Sequence, residues 1–238
     1  SNPARLIVYK RPEIILQPAD STVCELQNVS FKVDYGETDV PFIQWEENDG
    51  VSGWMPIISG GNYIGSNSVE LKIFTVDSSM TGYRYRAVIS GICDPDITSD
   101  PATLTVKSAP EIWQHPSDRT ICEGDDAEFS VVATGANINY FWQVDYGSGF
   151  SDIVNDNGGV YAGWTTSTLT VMGADRTYNL NKYRVRTEGD CVPMDISELA
   201  ILFVHTPAEI QIQPENDTIC EFNNANFRVT ATGLSLSY

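Results

Sequence analysis

Phe129-Ser130-Val131-Val132-Ala133-Thr134-Gly135 alternates large apolar and other residues and then breaks at Thr-Gly, and Tyr140-Phe141-Trp142-Gln143 follows a few polar residues later. Alternation over a handful of residues, closed by Gly or Asn, is the pattern of a half-buried strand rather than a helix. Moving outward, Tyr146-Gly147-Ser148-Gly149 reads as a turn, and Ser167-Thr168-Leu169-Thr170-Val171 as the next strand. Tyr183-Arg184-Val185-Arg186 follows, and Leu199 to Val204 closes the series. The upstream half repeats the theme with Phe31-Lys32-Val33, Trp45, Val69-Glu70-Leu71-Lys72-Ile73 and Tyr85-Arg86-Ala87. No helical stretch is expected anywhere.

The repetition has a fixed period. Val23-Cys24-Glu25 recurs as Ile121-Cys122-Glu123 and as Ile219-Cys220-Glu221, each time 98 residues on. Cys93 and Cys191 are 98 apart as well, and Pro101 to Val106 echoes Pro3 to Val8 at the same distance. Gln17-Pro18, His115-Pro116 and Gln213-Pro214 hold the register. A period of this length marks an array of one structural unit. The expected division is a last strand of a preceding repeat over 1–10, complete repeats over 11–107 and 108–206, and the first strands of another over 207–238. The chain is therefore expected to be a window on a longer array. About seven short strands per repeat predict an all-β architecture of tandem Greek-key sandwiches.

Composition narrows the function classes. Of the 238 residues, 42% are hydrophobic and 19% charged, a globular balance. Acidic residues outnumber basic ones 32 to 14, giving a formal charge of −18. Such a field disfavours nucleic acid and anionic membrane as partners. No apolar run approaches the roughly 18 residues of a membrane span, so direct membrane insertion by this segment is not expected.

These residues resemble the immunoglobulin superfamily. Trp142 follows Val131 by 11 residues, as the buried strand-C tryptophan follows the strand-B core position, and Tyr183 precedes Val185 by two, as in a tyrosine corner. Trp45 with Val33, and Tyr85 with Ala87, repeat the arrangement in the first repeat. The resemblance implies an intersheet disulfide at four positions that here hold Val33, Ala87, Val131 and Val185. These cores are expected to be held by packing. A narrower resemblance spans the chain. Pro110, Ile112, Cys122-Glu123-Gly124, Phe129, Val131, Trp142-Gln143, Tyr161, Gly163, Leu169, Tyr183-Arg184 and Cys191 are similar to the immunoglobulin-like repeats of giant surface proteins from Bacteroidetes. That group includes gliding-motility adhesins exported by the type IX secretion system. The resemblance implies an extracellular, cell-surface location and a part in adhesion.

Cysteines at matched positions imply disulfides and an oxidising compartment. Two pairings are open. Pairing within a repeat would join Cys24 to Cys93 and Cys122 to Cys191. In the inferred fold, however, Cys24 lies toward the A–B turn at one end of its domain and Cys93 in the F–G hairpin at the other. Strand rise separates such points by roughly 20 Å or more, and a disulfide tolerates only about 7 Å between Cα atoms. The preferred expectation is an inter-domain bond between Cys24 and Cys191, with Cys93, Cys122 and Cys220 pairing outside the window.

Other motifs in the chain admit plain structural roles. Asp20-Ser21-Thr22 and Asp217-Thr218-Ile219 resemble the O-glycosylation sequon of exported Bacteroidetes proteins, which implies glycans at Ser21 and Thr218; a polar turn is the alternative. Asn155-Asp156-Asn157 and Asp94-Pro95-Asp96 are expected to be turns rather than calcium ligands. His115 and His205 are the only histidines, and no metal spacing or Ser-His-Asp set can be assembled from them. No cofactor, metal or catalytic residue is expected. Trp54, Phe150, Trp113 and Trp164 are expected to pack at sandwich edges, with a ligand-facing patch as the alternative. The leading expectation is a non-catalytic stalk whose partners are the neighbouring repeats of its own chain. The alternatives are repeats that themselves bind a surface glycan or protein, and spacers attached to a secreted enzyme.

Overall fold

A computed structural model describes residues 3–233. The chain divides between Ala109 and Pro110 into two compact units. In the first, β1 (Ile14–Leu16), β2 (Ser21–Cys24), β3 (Val29–Lys32) and β4 (Asp34–Tyr35) precede the long β5 (Phe42–Asn48). Next come β6 (Trp54–Pro56), β7 (Tyr63–Ile64) and β8 (Glu70–Ile73), then a 3-10 turn at Ser78–Met80. Finally β9 (Arg84–Ser90), β10 (Ile97–Thr98) and β11 (Ala102–Lys107) complete the unit. One sheet has the order β2-β11-β9-β5-β6, with β10 on β9; the other elements form β3-β8-β7 and the pair β1-β4. Only β2 runs parallel to its neighbour β11.

The second unit repeats this plan with β12 (Glu111–Gln114), β13 (Arg119–Cys122), β14 (Ala127–Ser130), β15 (Val132–Thr134) and β16 (Asn139–Asp145). β17 (Phe150–Asp152), β18 (Tyr161–Ala162) and β19 (Thr168–Val171) follow, then a 3-10 turn at Arg176–Tyr178. β20 (Lys182–Glu188), β21 (Asp195–Ile196) and β22 (Ala200–His205) finish the sandwich. Beyond it, β23 (Glu209–Ile212) pairs with β24 (Thr230–Thr232). That pairing matches Ile210 with Ala231, as Ile112 matches Ala133 and Ile14 matches Tyr35, each with an irregularity after it. The three pairings are offset by 98 residues, so the segment from 207 opens as the two sandwiches do. Residues 3–10 form no strand and are exposed.

Each sandwich closes on its own core. Trp45, Tyr85, Ala87, Phe31 and Val33 are buried in the first, and Trp142, Tyr183, Val185, Phe129 and Val131 in the second. Both indoles find an acceptor: Trp45 Nε1 donates to Ser68 O at 2.8 Å and Trp142 Nε1 to Thr166 O at 2.9 Å. That satisfies the one polar atom of the largest core residue. Trp142 pairs with Val185 in register, and Trp45 with Ala87.

Tyr85 and Tyr183 stand where a tyrosine corner would, and their rings stack on Phe31 and Phe129 at 4.8 Å. Their hydroxyls, however, are buried with no hydrogen-bond partner. These tyrosines are held by ring stacking. Burial pushes the Tyr183 phenol up to about 12 and raises those of Tyr85, Tyr63 and Tyr161 further.

Gly65 and Gly163 take φ of +85° and +72°, and a Cβ there would sit 2.2 Å from the carbonyl oxygens of Glu70 and Thr168. Only glycine fits this turn, which sets the strand carrying Leu71 or Leu169 against the core.

Candidate functional site

The cysteines occupy two kinds of place. Cys24 and Cys122 each end the strand that runs parallel to the last strand of their sandwich, Cys24 opposite Lys107 and Cys122 opposite His205. A tight turn follows every time. Gln27 N donates to Cys24 O at 3.2 Å, Asp125 N to Cys122 O at 3.1 Å, and Asn223 N to Cys220 O at 3.1 Å. Within it, Leu26, Gly124 and Phe222 all have positive φ. A left-handed Leu or Phe is uncommon; the second repeat has glycine at this position, and the other two turns adopt the same conformation without one. Cys93 and Cys191 lie at the opposite end, beyond β9 and β20, and each precedes a residue joined by a cis bond to proline, Asp94-Pro95 and Val192-Pro193.

Cys24 and Cys191 are disulfide-bonded. Cys93, Cys122 and Cys220 carry free thiols, and Cys93 Sγ donates to Tyr9 O at 3.5 Å. The within-repeat pairs Cys24–Cys93 and Cys122–Cys191 are therefore not made. The strand directions give the reason. Cys24 sits beside Lys107 at the end of β11, whereas Cys93 lies beyond Ile97 at the start of β10. Ten residues of strand separate those levels by roughly 30 Å.

The polar residues around these ends are committed to the fold. Asp20 Oδ1 accepts from Thr103 N at 2.7 Å, and Asp118 Oδ1 from Ile201 N at 2.8 Å. Gln17 Oε1 accepts from Asp100 N at 2.8 Å, and in the second sandwich His115 Nδ1 accepts from Glu198 N at 3.2 Å. His115 thus does the work of a glutamine. His205, on β22, gives its carbonyl to Glu123 N at 2.8 Å. Ser21 opens β2 and is half-buried, while Thr218 is exposed. Asn155 and Asp156 receive backbone N–H groups from Asn157 and Gly158, a turn as expected. Among the described residues no three His, Cys, Asp or Glu side chains gather as a metal site, and no helix is long and apolar enough to cross a membrane.

The outward face of the larger sheet carries a feature that the sequence reading missed. Arg86 lies 4.1 Å from the centre of the Trp54 ring and bonds Glu46 at 2.8 Å. Arg184 lies 4.0 Å from Phe150 and donates to Gln143 at 2.7 Å. Each guanidinium fastens the edge strand, β6 or β17, to the sheet. The signal was present as the Arg directly after the core tyrosine, in Tyr85-Arg86 and Tyr183-Arg184, with an aromatic after the preceding turn. Trp113 is exposed, its Nε1 bonded to Thr134, while Trp164 packs against the second core.

No family model matches the chain. Among curated proteins it is similar to Endoglucanase C of Cellulomonas fimi, 28% identical over 174 residues, and to Roundabout homolog 2 of Homo sapiens, 26% over 144. The matches cover 70% and 60% of this chain but only 14% and 10% of those proteins. Among solved structures, the I-band fragment I67-I69 of titin superposes with a TM-score of 0.67 at 16% identity, covering 87% of this chain and 70% of the fragment. DIP-gamma IG1+IG2 gives 0.58 at 16%, covering 82% and 98%.

The fold is immunoglobulin-like. The chain holds tandem immunoglobulin-like sandwiches, which accounts for the tryptophan, the stacked tyrosine and the parallel strand that ends in cysteine. At the two intersheet disulfide positions, valine and alanine pack instead.

Proposed function

We propose that this chain is part of a non-catalytic stalk of a long cell-surface adhesin, in which successive immunoglobulin-like repeats are fastened by disulfides between domains. The observation that carries the reading is the state of the cysteines. Cys24 and Cys191 are bonded while the partners each would have within its own sandwich are free thiols. We take the pair to be Cys24 with Cys191, and assign Cys93, Cys122 and Cys220 to equivalent bonds with repeats outside the window. Disulfides support an oxidising, extracellular setting. The short Lys107-Ser108-Ala109-Pro110 and His205-Thr206-Pro207 connections suit a stiff array better than Gly/Ser linkers would.

The resemblance to Bacteroidetes repeats extends the proposal to export by type IX secretion and a role in surface gliding, with Ser21 and Thr218 as glycan acceptors. A distal adhesive region would be presented on a force-transmitting stalk whose immediate partners are its own neighbouring repeats. Removing residues 11–206 from the parent protein should shorten the surface structure and leave ligand capture in place. Competition for adhesion by the purified chain would instead favour binding by the repeats themselves.

A second reading draws on the match to part of an endoglucanase. Repeats of this kind would then be spacers in a secreted enzyme with its catalytic domain elsewhere. Cells lacking the parent gene separate the two: loss of attachment or movement supports the stalk, loss of a secreted hydrolytic activity supports the spacer.

A further inference from the structure

We infer that the disulfides form a covalent force path that bypasses the cores of the sandwiches, so that the array does not lengthen when a repeat unfolds. This rests on the pairing of Cys24 with Cys191 proposed above. Between those two residues lie 166 positions, including every core strand from β3 to β20. A pull on the chain would pass through residues before Cys24, cross the bond, and continue from Cys191. For this bond, the bodies of the two sandwiches between become a closed side loop.

The spacing makes the path continuous. From Cys191 to the next cysteine of the Cys-Glu series, Cys220, is 29 positions, and from Cys93 to Cys122 is again 29. In an array that keeps the period, each bond leads to such a segment and each segment to the next bond. Two interleaved tracks result, each advancing two repeats per 29 residues of chain. A fully extended 29-residue segment reaches roughly 100 Å, against roughly 660 Å for the 196 residues of two repeats.

There is little slack to draw out. Sixteen residues of the Cys93–Cys122 segment already lie in β10, β11, β12 and β13. Strand residues rise about 3.3 Å, close to the limit of the chain. The segment consists of the last strand of one sandwich and the first strands of the next, the only elements of each repeat on the path. The sandwich bodies, with Trp45 and Trp142, set the shape and hold the cysteines in place without transmitting tension.

The remaining bonds need an oxidant. Each forms by exchange with a disulfide donor: one thiolate attacks a donor sulfur, the second thiolate displaces the donor from the mixed disulfide, and the donor leaves as a dithiol. Two electrons and two protons pass from the cysteine pair to the donor.

The test is single-molecule stretching of an array carrying this window, gripped in the repeats on either side, combined with non-reducing peptide mapping of the same preparation. Expected is a mapped Cys24–Cys191 bond and no extension step as large as a repeat while oxidised, followed after reduction by steps of roughly 300 Å each. A C24S/C93S array, which interrupts both tracks at the first repeat, with folding checked by its tryptophan emission, should show one repeat-sized step without reduction. A mapped Cys24–Cys191 bond together with repeat-sized steps throughout the oxidised array would overturn the bypass and leave the pairing intact. Absence of the Cys24–Cys191 peptide would remove the pairing itself.

Discussion

Asp118 Oδ1 accepts a hydrogen bond from the backbone N–H of Ile201 at 2.8 Å, and 98 residues earlier Asp20 does the same for Thr103 at 2.7 Å. The contact ties the crossover between the first two strands of each sandwich to the last, just before the strand that ends in cysteine. Asp118 precedes Arg119-Thr120, where the glycosylation motif is broken, so the aspartate is explained without a glycan. D118A should cost about 1 kcal/mol of stability, the net value of one such bond, while D118N, which keeps an acceptor, should cost less. Urea unfolding of the two variants checks the order.

Gly163 is the sharpest steric requirement. A methyl group there meets Thr168 O at 2.2 Å with φ at +72°. G163A should destabilise the second sandwich by about 1–3 kcal/mol, the range for strained backbone, and the thermal transition should fall accordingly. An unchanged transition would mean that the turn has another accessible conformation.

Tyr183 yields a prediction of opposite sign. Its hydroxyl is buried without a partner, and leaving such a group unbonded costs about 1–3 kcal/mol. Y183F should therefore be neutral or stabilising at neutral pH, measured by denaturant midpoint. A clear loss of stability would show that the hydroxyl is bonded after all.

The same phenol sets an alkaline limit. Folding raises it from an ordinary value of 10.0 to about 12, so the neutral form is favoured in the folded state. The contribution is fully present below pH 10 and is lost as pH rises from 10 through 12. Stability should be level to about pH 9 and fall above 10, and Y183F should lessen the fall. A pH series of unfolding midpoints reads this directly.

Much of the fold could be read from the chain because its signals are local or periodic. Phe129 to Ala133 alternates, Trp142 stands 11 residues beyond Val131, and the cysteine triplets recur at 98. What escaped depends on cross-strand register. The aromatic partner of Arg86 is Trp54 and that of Arg184 is Phe150; the guanidines keep the period but the aromatics are 96 apart. A fixed period therefore overlooks the pair. Gln17 and His115 share a register in the sequence, but that both accept the same capping bond depends on cross-strand placement. The tyrosine position was legible, but whether its hydroxyl finds a carbonyl is settled by placement within the core. Strand-level detail was also lost: the break between β10 and β11 and the two 3-10 turns lack a periodic signature.

The most direct measurement is mass spectrometry of peptides from the intact protein, digested without reduction after free thiols are alkylated. Expected is one cross-linked peptide pair containing Cys24 and Cys191, with Cys93, Cys122 and Cys220 alkylated when this chain is made alone. A cross-link between Cys24 and Cys93, or between Cys122 and Cys191, would contradict the fastened array and leave each repeat stapled only to itself.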